Sequence, residues 1–240
     1  KCTTKQGEMR TQDPYTLRCI PQIHGASKDA LEFVREKVEI EMDAVTDNPI
    51  IFCDTDDVIS GGNFHGQPMA LPFDFLGIAV SEMANVSERL VNPHLNCGLP
   101  AFLVENGGVN SGFMIVQYSA ASLVSENKVL AHPASVDSIP SSANQEDHVS
   151  MGTIAARKAG EILKNARKVI AMEILSACQG IDLKKVNKDL GLGTEKAYTA
   201  VRSYYDKDRV MNLDINAVEE LIERNKIVEN VEKVIGELKI

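Results

Sequence analysis

The sequence predicts an all-α fold built on a bundle of long helices, and two observations indicate it. Three long apolar segments, each bounded by proline, glycine or asparagine, cover residues 71–90, 111–131 and 149–179. A helix over the third segment would be about 45 Å long at roughly 1.5 Å per residue, which is longer than a small globule is wide. We therefore expect this helix to lie in an extended bundle or to run between subunits.

The segments before and after these long helices are shorter. From Ser27 onward the apolar side chains recur at steps of three and four, which predicts an amphipathic helix that ends before Pro49. Residues 50–60 are β-branched at their start, so we expect a short hairpin there, followed by a glycine-rich loop. We expect residues 1–180 to carry an N-terminal helical stub, the loops and the bundle helices. The more charged residues 181–240 are expected to form a peripheral helical region.

Composition and charge exclude several classes of function. The 240 residues are 44% hydrophobic, and 34 acidic against 25 basic side chains give a net charge of -9. This charge repels phosphate backbones and anionic lipids, so nucleic-acid binding is not expected. The longest nearly uncharged apolar stretch, residues 68–80, is shorter than the roughly 18 residues of a membrane span. With no recognisable signal peptide, we expect a cytoplasmic protein without membrane contact.

A short helical stub near the N-terminus carries the first candidate binding residues. Pro14 suits the first position of a helix and Pro21 discourages its continuation, so about two turns are expected. Gln12, Tyr15 and Arg18 are spaced by three and therefore share one side of that stub. A planar guanidinium beside an amide and a phenol suits a substrate carboxylate. The alternative is a surface turn whose arginine pairs with a nearby acid, and spacing alone favours that alternative.

Two further segments contain residue types that could bind a ligand. The loop 61–66 combines glycine backbone freedom with Phe64 as an apolar wall and the imidazole of His65. An ordinary turn around a buried phenylalanine is the alternative. Glu146 precedes the longest helix and could face a cleft, as a base or as the partner of a cationic or hydrogen-bonding ring. Its alternative role is to cap that helix together with Asp147.

No metal site is expected. The acidic run 54–57 lacks the glycine and the terminal glutamate of a calcium loop, and the chain has no His-Glu-x-x-His motif. A hydrolase that uses Glu146, Asp147 and His148 is the weakest interpretation. Three consecutive side chains at a helix start diverge and do not easily converge on one ion.

Taken together, three segments are much more specific than each is alone. In this order, the chain closely resembles the aromatic amino-acid ammonia-lyases over residues 12–25 (Gln-Asp-Pro-Tyr-Thr-Leu-Arg-Cys-Ile-Pro-Gln-Ile-His-Gly), 61–66 (Gly-Gly-Asn-Phe-His-Gly) and 144–152 (Asn-Gln-Glu-Asp-His-Val-Ser-Met-Gly). The resemblance covers nearly the whole chain but corresponds to the C-terminal half of that family. The Gln-Glu pair that ends at Glu146 resembles the histidine-specific members, and this implies an imidazole substrate.

The resemblance implies a fold, a reaction and a role for each candidate residue. The family's fold is a mostly helical homotetramer whose active sites are built by several subunits. The implied reaction is the non-oxidative elimination of ammonia from L-histidine, which gives trans-urocanate. The candidate catalytic residues are Tyr15, beside the electrophile, and Glu146, which would engage the imidazole. Arg18 would clamp the carboxylate, Gln12 would line the site beside Tyr15, and Phe64 would pack near the substrate.

One part of the family's pattern is absent from this chain. The family's electrophile is a methylidene-imidazolone group made from an internal Ala-Ser-Gly, and this chain contains no Ala-Ser-Gly. The catalytic tyrosine of the family's N-terminal loop is unmatched as well. We therefore expect the group to come from an N-terminal half as a partner, and this chain alone to be inactive. The alternative is a relic or a non-catalytic helical oligomerisation module, which the small residues between Ser119 and Ser125 support.

Overall fold

The computed structural model of the chain describes residues 12–91, 98–202 and 207–238. The predicted all-α class is confirmed, because helices form most of these residues and strands form only a small hairpin there. The helices are α1 (Tyr15–Arg18), α2 (Ile20–Met42), α3 (Gln67–Val91), α4 (Met114–Leu130), α5 (Gly152–Lys184), α6 (Leu192–Val201), α7 (Asn212–Glu223) and α8 (Lys226–Ile235).

The hairpin predicted near residues 50–60 is also confirmed. Strand β1 (Ile50–Phe52) pairs antiparallel with β2 (Asp57–Ile59), and Ile50 lies opposite Ile59. A lone two-stranded hairpin is marginally stable in water, so its neighbours must hold it in place. Its exposed apolar side chains are Ile51, Phe52, Val58 and Ile59.

The described residues form two compact units. The first contains the described residues of 12–20, 84–126 and 164–238, and the second contains 21–83 and 127–163. Each unit has its own buried apolar side chains. The domain boundary predicted after residue 180 falls within α5 and remains a prediction.

The core of the first unit forms around the second half of α5. Along this helix the buried Val169, Met172 and Leu175 recur at steps of three, as one face of a helix requires. Gln179 continues the face, and its buried amide donates to the carbonyl oxygen of Leu103 at 2.9 Å. The side chains that complete this core include Val91, Phe113, Val116, Ala120, Tyr198, Val201 and Val218.

The second unit has a smaller core in which α3 and α5 approach closely. Ile162 of α5 is buried, and its Cδ1 atom lies 3.1 Å from the position that a Cβ would take at Gly77 of α3. Phe33 of α2 packs against Phe75 of α3, with ring centroids 5.7 Å apart. These contacts hold α2, α3 and α5 together. The loops that lead into α3 and α5 carry two of the candidate site residues.

Asp74 is a buried carboxylate in α3. It accepts a hydrogen bond from the N–H of Ser135 at 2.7 Å, and Nζ of Lys158 lies 3.9 Å from its other oxygen. These partners offset the cost of burying the charge. By length and composition α3 could cross a membrane, but 44% of its apolar window is buried within the chain. The core helix of a globular protein shows the same pattern.

Candidate active site

The N-terminal stub places Arg18 against Tyr15. α1 is one turn long, and the N–H groups of Leu17 and Arg18 both donate to the carbonyl oxygen of Pro14 at 3.0 Å. The guanidinium carbon of Arg18 lies 5.0 Å from the centre of the Tyr15 ring, which is a cation–π contact. Tyr15 is 70% exposed, and Arg18 and Gln12 are exposed as well. The amide, the phenol and the guanidinium are therefore open to solvent in this chain.

Arg18 forms no ion pair with any acidic residue in the described part of the chain. The described residues therefore do not support the alternative, which was a surface turn whose arginine is neutralised by a nearby acid. A guanidinium has five N–H donors in a planar fork, and a carboxylate can accept two of them in parallel. This stub can bind a carboxylate from outside the described chain.

α2 begins earlier than the sequence predicts. The apolar pattern predicts a helix from Ser27, and Pro21 is read as a stop, but α2 starts at Ile20. Proline is tolerated in the first turn of a helix, because the N–H of that turn has no partner within the helix. The break between α1 and α2 is the single residue Cys19. The expectation of a two-turn stub was therefore wrong.

The glycine-rich loop presents Phe64 at the surface. Phe64 is 56% exposed, so the alternative of a turn around a buried phenylalanine is wrong. Asn48 anchors the start of the loop, because its Oδ1 atom accepts hydrogen bonds from Ser60 Oγ and from the Gly61 N–H, both at 3.0 Å. A Cβ added at Gly61 would meet nothing within 4 Å. The loop is thus anchored at its base and open beside the phenylalanine.

Glu146 lies in a tight loop that stabilises its charged form. Its backbone N–H and C=O pair with Ser141 at 3.3 and 2.9 Å, and the Ser141 hydroxyl donates to its carboxylate. Hydrogen bonds from the hydroxyls of Ser141 and Ser142 hold the pKa of Glu146 below its usual value. Ser142, Ala143 and Asn144 have φ values of 50°, 53° and 73°, a left-handed conformation that is costly for residues with a Cβ. Such strain is found where a loop fixes a functional group.

The helix-capping role for Glu146 and Asp147 is contradicted. α5 starts at Gly152, and its first turn contains no acidic side chain. Both acids lie too far before that start to accept hydrogen bonds from the free N–H groups of the helix. The hydrolase interpretation gains no support either, because the described residues include no group of three His, Cys, Asp or Glu side chains that could hold a metal ion.

His65 joins the Phe64 loop to the Glu146 loop. Its Nε2 atom lies 2.8 Å from the carbonyl oxygen of His148, and its Nδ1 atom accepts the N–H of Gln67 at 3.3 Å. The rings of His65 and His148 stack with their centroids 5.9 Å apart. His65 directly follows Phe64, and His148 lies two residues after Glu146. The structure therefore brings the segments of these two candidate residues together.

The five predicted site residues thus form two groups. Gln12, Tyr15 and Arg18 belong to the first compact unit, whereas Phe64 and Glu146 belong to the second. The sequence offers His65 only as part of a candidate ligand loop and does not reveal its contact with His148, because that hydrogen-bond partner is 83 residues away along the chain. No local spacing could have revealed that contact.

A cavity of about 470 Å³ lies in the first unit, and none of the five predicted site residues lines it. At its edge, the Asp208 carboxylate accepts the N–H groups of Ser111 and Gly112 at 2.9 and 2.8 Å. These two bonds hold the pKa of Asp208 below its usual value. The apolar side chains of the lining include Leu103, Val104, Phe113, Val116, Met172 and Ile215.

Comparison with known proteins decides the family. A family model described as aromatic amino acid lyase matches residues 2–203. The chain belongs to this family. Histidine ammonia-lyase 1 of Fusobacterium nucleatum subsp. nucleatum is 71% identical over 245 aligned residues, which cover 99% of this lyase chain and 48% of that protein. The histidine ammonia-lyase of Alkaliphilus oremlandii is 66% identical, with 97% of this chain and 47% of that protein covered.

Solved structures agree with the assignment of this lyase chain. The crystal structure of histidine ammonia-lyase from Trypanosoma cruzi is 48% identical with a TM-score of 0.86, over 92% of this chain and 45% of that chain. Tyrosine aminomutase from Streptomyces globisporus is 38% identical with a TM-score of 0.89, over 95% and 45% of the two chains. The lyase chain spans about half the length of the relatives it matches.

Proposed function

We propose that the chain is the C-terminal half of a histidine ammonia-lyase, which converts L-histidine to trans-urocanate and ammonia. The elimination breaks the Cα–N bond and one Cβ–H bond of the substrate and forms a double bond between Cα and Cβ. Two relatives that are 71% and 66% identical and are named histidine ammonia-lyases support the proposal. The observation that carries it is the exposed Arg18 guanidinium, stacked on Tyr15 and without an ion pair to any described acid.

Arg18 is proposed to bind the carboxylate of the substrate. Its fork of N–H donors matches the two carboxylate oxygens, and the Tyr15 ring limits the orientations that the guanidinium can adopt. Gln12 lies outside α1, three residues before the helix starts at Tyr15, so the prediction that it shares a helical side with Tyr15 and Arg18 was wrong. From that position it would order the polar contacts beside Tyr15. The stub would thereby hold the amino-acid end of histidine.

Glu146 and Phe64 are proposed to bind the imidazole ring. A carboxylate whose charge is stabilised takes up a proton less readily, so the lowered pKa of Glu146 favours a ring partner over a general base. An ionised Glu146 would accept a hydrogen bond from a ring N–H or pair with an imidazolium. The exposed ring of Phe64 would provide the apolar wall.

The family uses a methylidene-imidazolone group formed from Ala-Ser-Gly, a triplet that this chain does not contain. The group supplies an electrophile that withdraws electrons from the substrate, which ordinary side chains cannot do. Tyr15 and Gln12 suit such a neighbour, because both are exposed and neither side chain has a hydrogen-bond partner in the described ranges. We propose that the N-terminal half supplies the group and that this chain alone is inactive.

The complete enzyme is proposed to be a cytoplasmic homotetramer in which several subunits build each active site. The chain leaves many large apolar side chains exposed, and such side chains commonly mark surfaces that a partner covers. Examples are Ile40, Met42, Val45, Phe75, Ile78 and Leu163. The N-terminal half and the other subunits are the proposed partners.

Reconstitution tests this function. The chain is co-expressed with an N-terminal half that carries Ala-Ser-Gly, and urocanate formation from L-histidine is followed. We expect turnover from the pair and none from this chain alone. A stable pair that contains the electrophile but makes no urocanate would contradict the function. If that pair is active and the variants Arg18→Ala and Glu146→Gln are equally active, the residue roles are wrong.

The oligomerisation-module alternative receives only partial support from the fold. Ala120, in the middle of the small-residue stretch, is buried in the chain's own core. Ser122 and Ser125 are exposed, and the Ser122 hydroxyl donates to the carbonyl oxygen of Ser119 at 2.9 Å. The stretch is thus divided between core and surface. An isolated chain that oligomerises stably and never associates with the N-terminal half would favour this alternative.

A further inference from the structure

The two ring nitrogens of His65 have different partners on different segments. Nδ1 accepts the N–H of Gln67 at 3.3 Å, which is a contact within the same loop. A nitrogen that accepts a hydrogen bond carries no proton, so the pairing is that of the tautomer in which Nε2–H donates a hydrogen bond to the carbonyl oxygen of His148 at 2.8 Å. Of these two hydrogen bonds, only the one from Nε2 connects the two loops.

We propose that His65 is a positioning residue that sets the spacing between Phe64 and Glu146, and thereby the width of the slot for the substrate's ring. The inference rests on the proposed function. One peptide link, or about 3.8 Å between Cα atoms, separates His65 from Phe64. On the other side, only Asp147 separates His148 from Glu146. A shift at this bond would therefore pass directly to both candidate residues.

Close packing beside the bond leaves little room for adjustment. A Cβ at Gly66 would lie 2.7 Å from Oγ of Ser150, and a Cβ at Gly152 would lie 3.2 Å from the carbonyl oxygen of Gly66. The far side of the Glu146 loop is tied by the backbone pair with Ser141. Because these contacts fix the chain on both sides, the hydrogen bond from His65 to His148 determines how far the two loops can still move relative to each other.

Two isosteric variants separate the bonds of His65 in the full-length enzyme. His65→Gln can place an amide nitrogen near the Nε2 position and keep the bond to His148. His65→Asn can place a carbonyl oxygen near the Nδ1 position and keep only the local bond to Gln67. His65→Ala removes both, and His132→Asn, an exposed histidine of the same unit, is the control.

We expect the Asn and Ala variants to raise KM for histidine by about tenfold or more with kcat changed by less than about threefold. The Gln variant and the control should keep KM within about threefold of wild type. Hydrogen exchange of peptides over residues 61–70 and 144–150 should be faster in the Asn and Ala variants alone. If the Ala variant does not fold, the comparison of KM and hydrogen exchange between the Gln and Asn variants still tests the positioning role.

The experiment distinguishes a failure of the proposed function from a failure of the positioning role of His65. A wild-type enzyme that is loaded with its electrophile and makes no urocanate contradicts the proposed function, whatever the His65 variants do. An active wild type whose Gln and Asn variants have the same KM and the same exchange rates overturns the positioning role. Equal loss of kcat and stability in both variants, with KM unchanged, would do so as well, because that is the pattern of a purely structural residue.

Discussion

The guanidinium of Arg18 lies 5.0 Å from the centre of the Tyr15 ring, on one side of a single helical turn. A spacing of three residues brings the two side chains together, so the contact follows from the local sequence. The aromatic face restricts the cation without neutralising it. An arginine held in this way loses less conformational freedom when it binds a planar anion.

Replacing Arg18 tests the carboxylate clamp. In the full-length enzyme, Arg18→Ala should lower kcat/KM for histidine. The loss should correspond to about 2 to 5 kcal/mol of transition-state stabilisation, because a desolvated charge pair is lost. Arg18→Lys should recover only part of this loss, since an ammonium cannot donate two parallel hydrogen bonds. The measurement is the initial rate of urocanate formation. Arg35→Ala is the control, because Arg35 is an exposed arginine that pairs with Glu32 at 3.2 Å, and it should change little.

Removing a hydroxyl beside Glu146 tests its charge state. The bonds from Ser141 and Ser142 lower the pKa of this carboxyl, so the ionised form persists to lower pH. Ser141→Ala should therefore raise the pKa and move the acidic limb of kcat/KM to higher pH. Ser122→Ala, which removes an exposed hydroxyl elsewhere, should leave the limb in place. A limb that does not move, or that moves to lower pH, contradicts an essential ionised Glu146.

Asp208→Asn tests an anchor between two distant segments. The carboxylate accepts the N–H groups of Ser111 and Gly112, and its pKa in the folded state is lowered. A lowered pKa means that the stabilisation is present above the unfolded pKa and is lost as the pH falls through the folded pKa. The variant should melt below wild type near neutral pH, and the gap should close in acid. Asp137→Asn, at an exposed carboxylate that accepts a local N–H, should show a smaller gap at neutral pH.

Alanine substitutions at two glycines should change the stability of the chain in opposite directions. At Gly112 the φ angle is +53°, and an added Cβ would lie 2.5 Å from the carbonyl oxygen of Phe102, so Gly112→Ala should destabilise the chain strongly. At Gly160, inside α5, an added Cβ meets nothing within 4 Å. Gly160→Ala should raise stability by about 0.5 to 1 kcal/mol. Thermal melting of the full-length enzyme would compare them, and equal shifts would contradict this account.

Local patterns predict most of the helices and the hairpin, because both depend on periodicity and on breakers close in sequence. The errors occur where a residue type has two allowed roles. Pro21 stands in the first turn of α2, where proline is tolerated, rather than ending a helix. The sequence pattern places the start of the last long helix near residue 149, and the structure places it at Gly152. This small shift removes Glu146 from the helix end and from any capping role.

The candidate site is less predictable than the fold. The spacing of Tyr15 and Arg18 is readable, because one helical turn contains both. The link from His65 to His148 spans 83 residues, and only tertiary packing creates it. The left-handed run at Ser142, Ala143 and Asn144 contains no glycine, so composition does not predict three positive φ angles in succession there. The roles of the candidate residues in catalysis remain predictions.

The isolated chain should associate with itself. Its exposed apolar side chains include Met42 at the end of α2 and Leu163 in α5. Water disfavours large contiguous apolar surfaces, so unpartnered copies should aggregate or oligomerise. Sedimentation of the purified chain at several concentrations measures this. A monodisperse monomer over the whole range would contradict the expectation.

The two-stranded hairpin has a consequence for anyone who selects improved variants of this protein. Its side chains Ile51 and Val58 lie largely in water in this chain, so exchanging them for threonine or lysine gives up little buried area here. A screen for yield of this chain by itself would reward such exchanges. A screen for activity of the proposed full-length enzyme would penalise them wherever the proposed assembly covers the same positions. Whether such substitutions are favoured or disfavoured therefore shows whether the selection acts on the isolated chain or on an assembly that contains it.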